Sequence, residues 1–374
     1  MLAARAPMGW NSWNTFANNI SEKLIFEMAD AMVDMGYLAA GYEYLVIDDC
    51  WSLRDRDENG MLVPDPEKFP HGMKAVSDYV HKKGLKFGMY SCAGQRTCAG
   101  YPSSYDHEYQ DAATFASWGV DFLKYDFCYF PQSGDPKMRY LTMAMALKAS
   151  GREILFSACN WGTDESWQWM REVGAHMYRS TGDIFDNFAS FSQIAKSQFK
   201  NFSMSSPACF NDMDMLTVGM YGKGNVGLGD ACTYDDYVTQ FALWTFFSAP
   251  LMIGGDIRKM DEKCSALMLN KNLLRIDQDE EARPPHMIKD DRGSYMFIKH
   301  LSDGEFALGM FNLSEQRIDM ELMFADCGVP VASGFGFELT DAVTGENLGK
   351  RRDDLFVSLE KHQSKVLLAR LCRV

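Results

Sequence analysis

No run of 18 apolar residues occurs in this chain, so no helix is expected to cross a membrane. The first residues, MLAARAPMGWNSW, lack the apolar core of a signal peptide. A cytosolic protein is the expectation, with a secreted one whose leader was removed before residue 1 as the alternative. Basic residues are in short supply: 37 Lys and Arg stand against 51 Asp and Glu, a formal charge of −14. That balance argues against a nucleic-acid partner, which needs a basic stripe to displace phosphate counterions. Ten cysteines in 374 residues are too few for a disulfide scaffold. None forms a C-x2-C pair, so no zinc site is expected. The seven histidines include no H-E-x-x-H, and no Ser/His/Asp set can be traced.

Apolar residues make up 47% of the chain, and its length allows one large domain or a large one plus a small one. Up to about residue 285, two patterns alternate. Short β-rich runs that end in polar residues fall at 7–10, 44–49, 86–91, 122–126, 154–159, 177–180, 208–212 and 250–253. Between them lie segments of helical spacing, such as SEKLIFEMADAMVDMG, opened by Ser21 and closed by Gly36. Eight strands separated by helices mean parallel pairing with crossovers, and eight units suit a closed (β/α)8 TIM barrel. An open doubly wound sheet is the competitor, but no G-x-G-x-x-G follows the first strand. After residue 285 only short strands and turns remain, which reads as a C-terminal antiparallel β-sandwich. The expected domains are thus 1–285 and 286–374.

In such a barrel, function lies at the C-terminal ends of the strands. There the sequence puts Trp10, Asp48 and Asp49, Tyr90, Lys124 and Asp126, Cys159 with Trp161 beyond it, Arg179 with Asp183 beyond it, and Asp212 and Asp214. Lys124 and Asp126 are two apart in a strand and point the same way. The ammonium is expected to keep the carboxylate ionised, as a nucleophile needs, though a structural ion pair reads equally well. Asp48 and Asp49 fit sugar-hydroxyl acceptors, a turn or cap, or ligands of a divalent metal. With Asp212 and Asp214 they make a metal-dependent barrel lyase or isomerase the rival class. Trp51 fits packing. Cys98 and Cys128 fit either reduced core thiols or a bridge. The run GKGNVGLG at 222–229 matches G-x-G-x-x-G but opens no helical pattern, so it reads as a flexible connection. Three N-x-S triplets start at Asn19, Asn201 and Asn312.

Taken in order, APMGWNSWNTF, GYEYLVIDDCW, TCAGYPSS, FASWGVDFLKYDFCY, CNWG, RSTGDI, FNDMDML and FFSAPLMIGGDIR resemble glycoside hydrolase family 27, the α-galactosidase and α-N-acetylgalactosaminidase family. The resemblance covers essentially the whole chain. It implies a retaining exo-glycosidase that needs no cofactor or metal and removes terminal α-linked D-galactose from oligosaccharides or glycoconjugates. The family's nucleophile falls on Asp126 and its acid/base on Asp183. Its substrate contacts fall on Trp10, Asp48, Asp49, Tyr90, Lys124, Trp161, Arg179 and Asp214, and its active-site disulfide on Cys98 and Cys128. On this reading the negative charge of Asp126 raises the proton affinity of Asp183. The bulky Trp161 after Cys159 would fill the space of a 2-acetamido group. That favours galactose over N-acetylgalactosamine, with β-L-arabinopyranose a slow alternative. The chain departs from the family at Phe210 and Met213, where Trp and Pro are usual. It also lacks partners for Cys50 and Cys159, which fits a microbial protein. The expected partner is a small carbohydrate, with no nucleic acid and no membrane, and a homo-oligomer is compatible with the sequence.

Overall fold

A computed structural model describes residues 1–201, 204–291 and 293–374. Its first part alternates strands and helices. The strands are β1 (Met8–Asn11), β2 (Tyr44–Val46), β3 (Lys86–Cys92), β4 (Phe122–Asp126), β5 (Leu155–Cys159), β6 (Met177–Arg179), β7 (Phe210–Asp212) and β8 (Leu251–Ile253). The helices are α1 (Trp13–Phe16), α2 (Glu22–Asp34), α3 (Gly72–Lys82), α4 (Glu108–Trp118), α5 (Pro136–Ala149), α6 (Phe188–Gln198), α7 (Tyr234–Phe246), α8 (Glu262–Met268) and α9 (Lys271–Asp277). All eight strands pair in parallel in the order β7-β6-β5-β4-β3-β2-β1-β8. The ring closes just beyond β7. There the Leu216 amide donates to Met252 O at 2.8 Å and Leu216 O accepts from Gly254 N at 3.0 Å.

Local chemistry explains the elements. Ser21 caps α2 by accepting from the Leu24 amide, and the helix buries Leu24, Ile25, Met28, Ala29 and Met32 on one face. Thr233 and Asp236 form a reciprocal capping box on α7. Asp135 caps α5 with Pro136 in its first turn. Within the strands, the period of two splits the residues into two sets. Leu45, Ile47, Leu123 and Tyr125 join the core beneath the helices, while Tyr44, Val46, Phe122, Leu155 and Met177 cluster inside the barrel. That inner parity carries Lys124 and Asp126 upward from Phe122 to the mouth.

The second part is antiparallel. A six-stranded sheet has the order β14-β13-β16-β11-β10-β9, and β12 pairs with β15 opposite it. Their ranges are β9 (His286–Asp291), β10 (Ser294–His300), β11 (Glu305–Asn312), β12 (Ile318–Met323), β13 (Phe335–Asp341), β14 (Asn347–Arg351), β15 (Asp354–Leu359) and β16 (Ser364–Arg373). Met296, Ile298, Leu308, Met310, Met320, Leu322, Phe337 and Leu367 fill the sandwich. The other face of the large sheet presents Tyr295, Phe297, Phe311 and Val366 to the barrel core. Asn312 is fully buried and donates its amide to three carbonyls, which removes it as a glycan acceptor. Asn19 is exposed, and the triplet of Asn201 runs into residues outside those described.

Candidate active site

The ends of strands β1 to β7 and the loops beyond them enclose a pocket of about 190 Å³ at the C-terminal mouth of the barrel. That is below the ~300–1,000 Å³ of drug-sized ligand sites and suits a single small ring. Asp48, Asp49, Tyr90, Cys98, Lys124, Asp126, Cys128, Trp161, Arg179, Asp183 and Asp214 all line it. Trp10 does not. Its ring is fully buried below the mouth and its Nε1 donates to Gly255 O at 2.9 Å. Trp13, three residues on and outside the strand, forms that wall instead. Strand parity aims Trp10 into the packed interior; the chain must leave β1 before an indole can face the pocket. Asn14, Ile184, Phe185, Met215, Asn225 and Val226 complete the lining. Asn225 and Val226 come from the glycine-rich run, which therefore forms part of the pocket wall.

Two cations organise the carboxylates. Lys124 Nζ lies 2.9 Å from Asp48 Oδ2 and 4.0 Å from Asp126 Oδ2. Asn11 Nδ2 also donates to Asp48, at 2.7 Å. Arg179 lies 2.7 Å from Asp183 Oδ1 and 2.8 Å from Asp214 Oδ2. Backbone amides serve the rest: Ala99 N donates to Asp49, Phe127 N to Asp126, Ile184 N and Met215 N to Asp214. Trp51 packs on Phe115 and Trp118 and donates to Tyr90 O.

The electrostatics differ from the sequence expectation. Burial pushes the Asp126 carboxyl up to about 6, against the opposing pull of Lys124 and the Phe127 amide. Lys124 is spent mainly on Asp48, so it only partly offsets burial at Asp126. Asp183 is shifted the other way. Desolvation by the surrounding wall raises it although its side chain stays 72% exposed, and the Arg179 charge and hydrogen bond outweigh that effect and hold it below the usual value. Asp126 therefore has the higher proton affinity of the two, the reverse of the expected order. Asp212 lies beneath the lining, also pushed up to about 6 by burial.

The backbone is strained around the same mouth. Cys50 (φ 72°), Tyr129 (φ 52°), Trp161 (φ 59°) and Asp214 (φ 80°) are left-handed non-glycine residues following β2, β4, β5 and β7. Each costs on the order of 1–3 kcal/mol, and such residues concentrate at functional sites. The structure joins Cys98 to Cys128 in a disulfide; the other eight cysteines are free.

The rival metal set does not converge. Asp48 is engaged by Lys124 and Asp214 by Arg179. Among the described residues, the group of three ligand atoms within mutual reach is Cys98, Asp126 and Cys128, two of which form the disulfide. A Ser/His/Asp set does exist at the opposite end of the barrel, where His81 Nε2 meets Asp121 at 2.6 Å and Ser77 Oγ lies 3.5 Å from His81 Nδ1. Ser77 is fully buried in α3 with its hydroxyl donated to Gly119 O, so the set is a structural clasp. A larger groove of about 510 Å³ on that same end is lined mostly by apolar side chains such as Leu141, Met145, Phe156 and Val173, and gathers no comparable carboxylate set.

Comparison with known proteins gives a consistent picture. The family model described as Alpha galactosidase A matches residues 5–279, and that of the Alpha galactosidase C-terminal beta sandwich domain matches residues 291–369. The Alpha-galactosidase A of Cellvibrio japonicus is 43% identical over 329 residues, spanning 85% of this chain and 78% of that protein. The crystal structure of α-galactosidase I from Mortierella vinacea superposes with a TM-score of 0.91 at 30% identity, covering 98% of this chain and 97% of the other. An α-galactosidase from Saccharomyces cerevisiae, solved with raffinose, superposes with a TM-score of 0.90 at 26% identity, covering 99% and 98%.

Proposed function

The chain belongs to the α-galactosidase family, glycoside hydrolase family 27, and is a glycoside hydrolase; we propose that it hydrolyses terminal α-galactosides by double displacement, with Asp126 as nucleophile and Asp183 as acid/base. One observation carries this reading. Asp126 and Asp183 face one ring-sized pocket, Asp126 within 4.0 Å of Lys124 and Asp183 within 2.7 Å of Arg179, while Asp48 and Asp49 line the same pocket as hydroxyl acceptors.

Asp126 Oδ attacks the anomeric carbon as the bond from that carbon to the leaving oxygen breaks. The proton of Asp183 passes to the leaving oxygen. Asp183 then takes a proton from water, which opens the glycosyl ester and returns retained product. An Asp126 carboxyl near 6 is ionised in most molecules at neutral pH. Asp183 needs its proton only when sugar is bound. Its side chain is 72% exposed and held by Arg179. A sugar that covers it and displaces it from Arg179 raises its proton affinity on both counts. The indole of Trp161, set edge-on to Phe127 at 6.1 Å, supports galactose over the acetamido sugar.

The test is turnover of chromogenic α-galactoside, α-N-acetylgalactosaminide and β-L-arabinopyranoside by the native chain, Asp126→Ala and Asp183→Ala. The α-galactoside is expected to be the best of the three substrates. Asp126→Ala is expected to lose at least about 10³-fold in kcat, and Asp183→Ala about 10²–10⁴-fold on unactivated substrates. Inverted product by NMR, or undiminished turnover by Asp126→Ala, overturns the assignment.

A further inference from the structure

One buried carboxylate beside the pocket has no part in the chemistry above. Asp186 stands three residues after Asp183 and is fully buried. Its two oxygens accept from the Tyr237 hydroxyl of α7, each at 3.0 Å, and Oδ2 also accepts from Gly222 N at 2.6 Å. The Cys232 and Thr217 side chains face it as well. Tyr237 completes the link by accepting from Tyr221 N at 2.6 Å. Backbone bonds repeat the connection: Asp186 N donates to Val226 O at 2.9 Å, and Asn187 Nδ2 to Leu228 O at 2.8 Å.

The segment 183–187 and the glycine-rich run 222–229 are therefore one body, stitched through Asp186. Together they supply Asp183, Ile184, Phe185, Asn225 and Val226 to the pocket wall. The glycines serve close approach. A Cβ on Gly224 would sit 2.6 Å from Asn14 O, and one on Gly227 would sit 2.0 Å from Gly222 O. The run thus folds back on itself and onto α1, where Asn225 N donates to Asn14 O at 2.7 Å.

We propose that Asp186 is the positioning residue of the acid/base: through Tyr237 and Gly222 it holds the Asp183 segment and the glycine-rich loop as a single rim over the leaving-group side of the pocket. The proposal rests on the reading of Asp183 as acid/base. Asp183 needs such support because its side chain is largely exposed and is held by Arg179, a tie the substrate must disturb. The Asp214 carboxylate anchors Ile184 N at the start of the segment, and Asp186 anchors its end. A displacement of about 1 Å at a reacting group costs ~10²-fold in rate.

The experiment compares Asp186→Asn, Tyr237→Phe and Asp183→Ala on α-galactosides whose leaving groups run from dinitrophenol to phenol to the sugar of raffinose. Tyr237→Phe keeps the ring, so it decides the matter if Asp186→Asn does not fold. Both rim variants are expected to lose about 10–100-fold in kcat/KM on the poor leaving groups and under about threefold on dinitrophenol. The galactose inhibition constant should stay near its native value, because the floor of the pocket is intact. A merely structural defect would lower all substrates alike. A uniform loss, or no loss, in the rim variants while Asp183→Ala shows steep leaving-group dependence overturns the Asp186 proposal alone. If Asp183→Ala itself shows no such dependence, the acid/base assignment falls and the proposal with it.

Discussion

Lys124 serves two carboxylates of the mouth at once, Asp48 and Asp126. Its spacing from Asp126 places both in the mouth, and they do line the same pocket. Yet the ammonium sits 1.1 Å closer to Asp48, which follows another strand, than to Asp126 (2.9 against 4.0 Å). Burial therefore prevails at Asp126, and its carboxyl rises to about 6. The sign for catalysis follows. An attacking carboxylate must be ionised, so in the sugar complex, where Asp183 holds its proton, kcat is expected to fall about tenfold per pH unit below ~6. Lys124→Met removes a charge that lowers the Asp126 pKa and is expected to move that acidic limb to higher pH. The pH profile of kcat checks both; a limb near 4 in the native chain would contradict them. Trp10 and Trp13 make the same point for shape. The motif GWNSW holds both, and only the turn out of β1 decides which indole meets the pocket.

At the scale of elements, the eight barrel strands were legible because each pairs an apolar period of two with a polar end and a helical segment behind it. β9 and β14 were not. They lie at the two edges of the large sheet and are exposed along most of their length, so HMIKDD and NLGKR carry little apolar alternation. Loops carry the remaining surprise. The Cys98–Cys128 bridge joins the loop after β3 to the loop after β4, and Ala99, next to it, donates its amide to Asp49 Oδ2 at 2.8 Å. Cys98 is exposed and open to reductant. A hydrogen bond to a charged group is worth ~1.5 kcal/mol or more. Reduction by dithiothreitol, or Cys98→Ser, is thus expected to raise KM about tenfold with a smaller change in kcat. An unchanged KM after complete reduction, verified by thiol titration, would remove the bridge from substrate binding.

The whole molecule is held by an aromatic seam between barrel and sandwich. Phe297 of β10 meets Phe199 at 5.3 Å and Phe247 at 5.7 Å, and Phe311 meets Phe246 at 5.9 Å. Near its edge, His362 stacks on Phe188 and pairs with Asp236 at 2.8 Å, joining the sandwich to α6 and α7. Lys299 lies fully buried in the same contact, donating to Ser248 Oγ at 2.6 Å, and burial pulls its ammonium below the usual value. A seam this apolar should make the two parts unfold together. Phe297→Ala is expected to cost about 3–5 kcal/mol and lower a single thermal transition. Two separate transitions in the native chain by calorimetry would refute that coupling.

The sequence by itself determined the architecture and the cast. Periods of two and 3.6 residues are local properties, and strand ends rich in carboxylates, Lys124, Arg179 and Trp161 mark one mouth whichever contacts they make. Only the tertiary structure decided how those residues are paired. Lys124 with Asp48, Ala99 with Asp49 and Gly222 with Asp186 meet across 76, 50 and 36 residues of chain. Burial and distance set each proton affinity, and both arise only when the barrel closes.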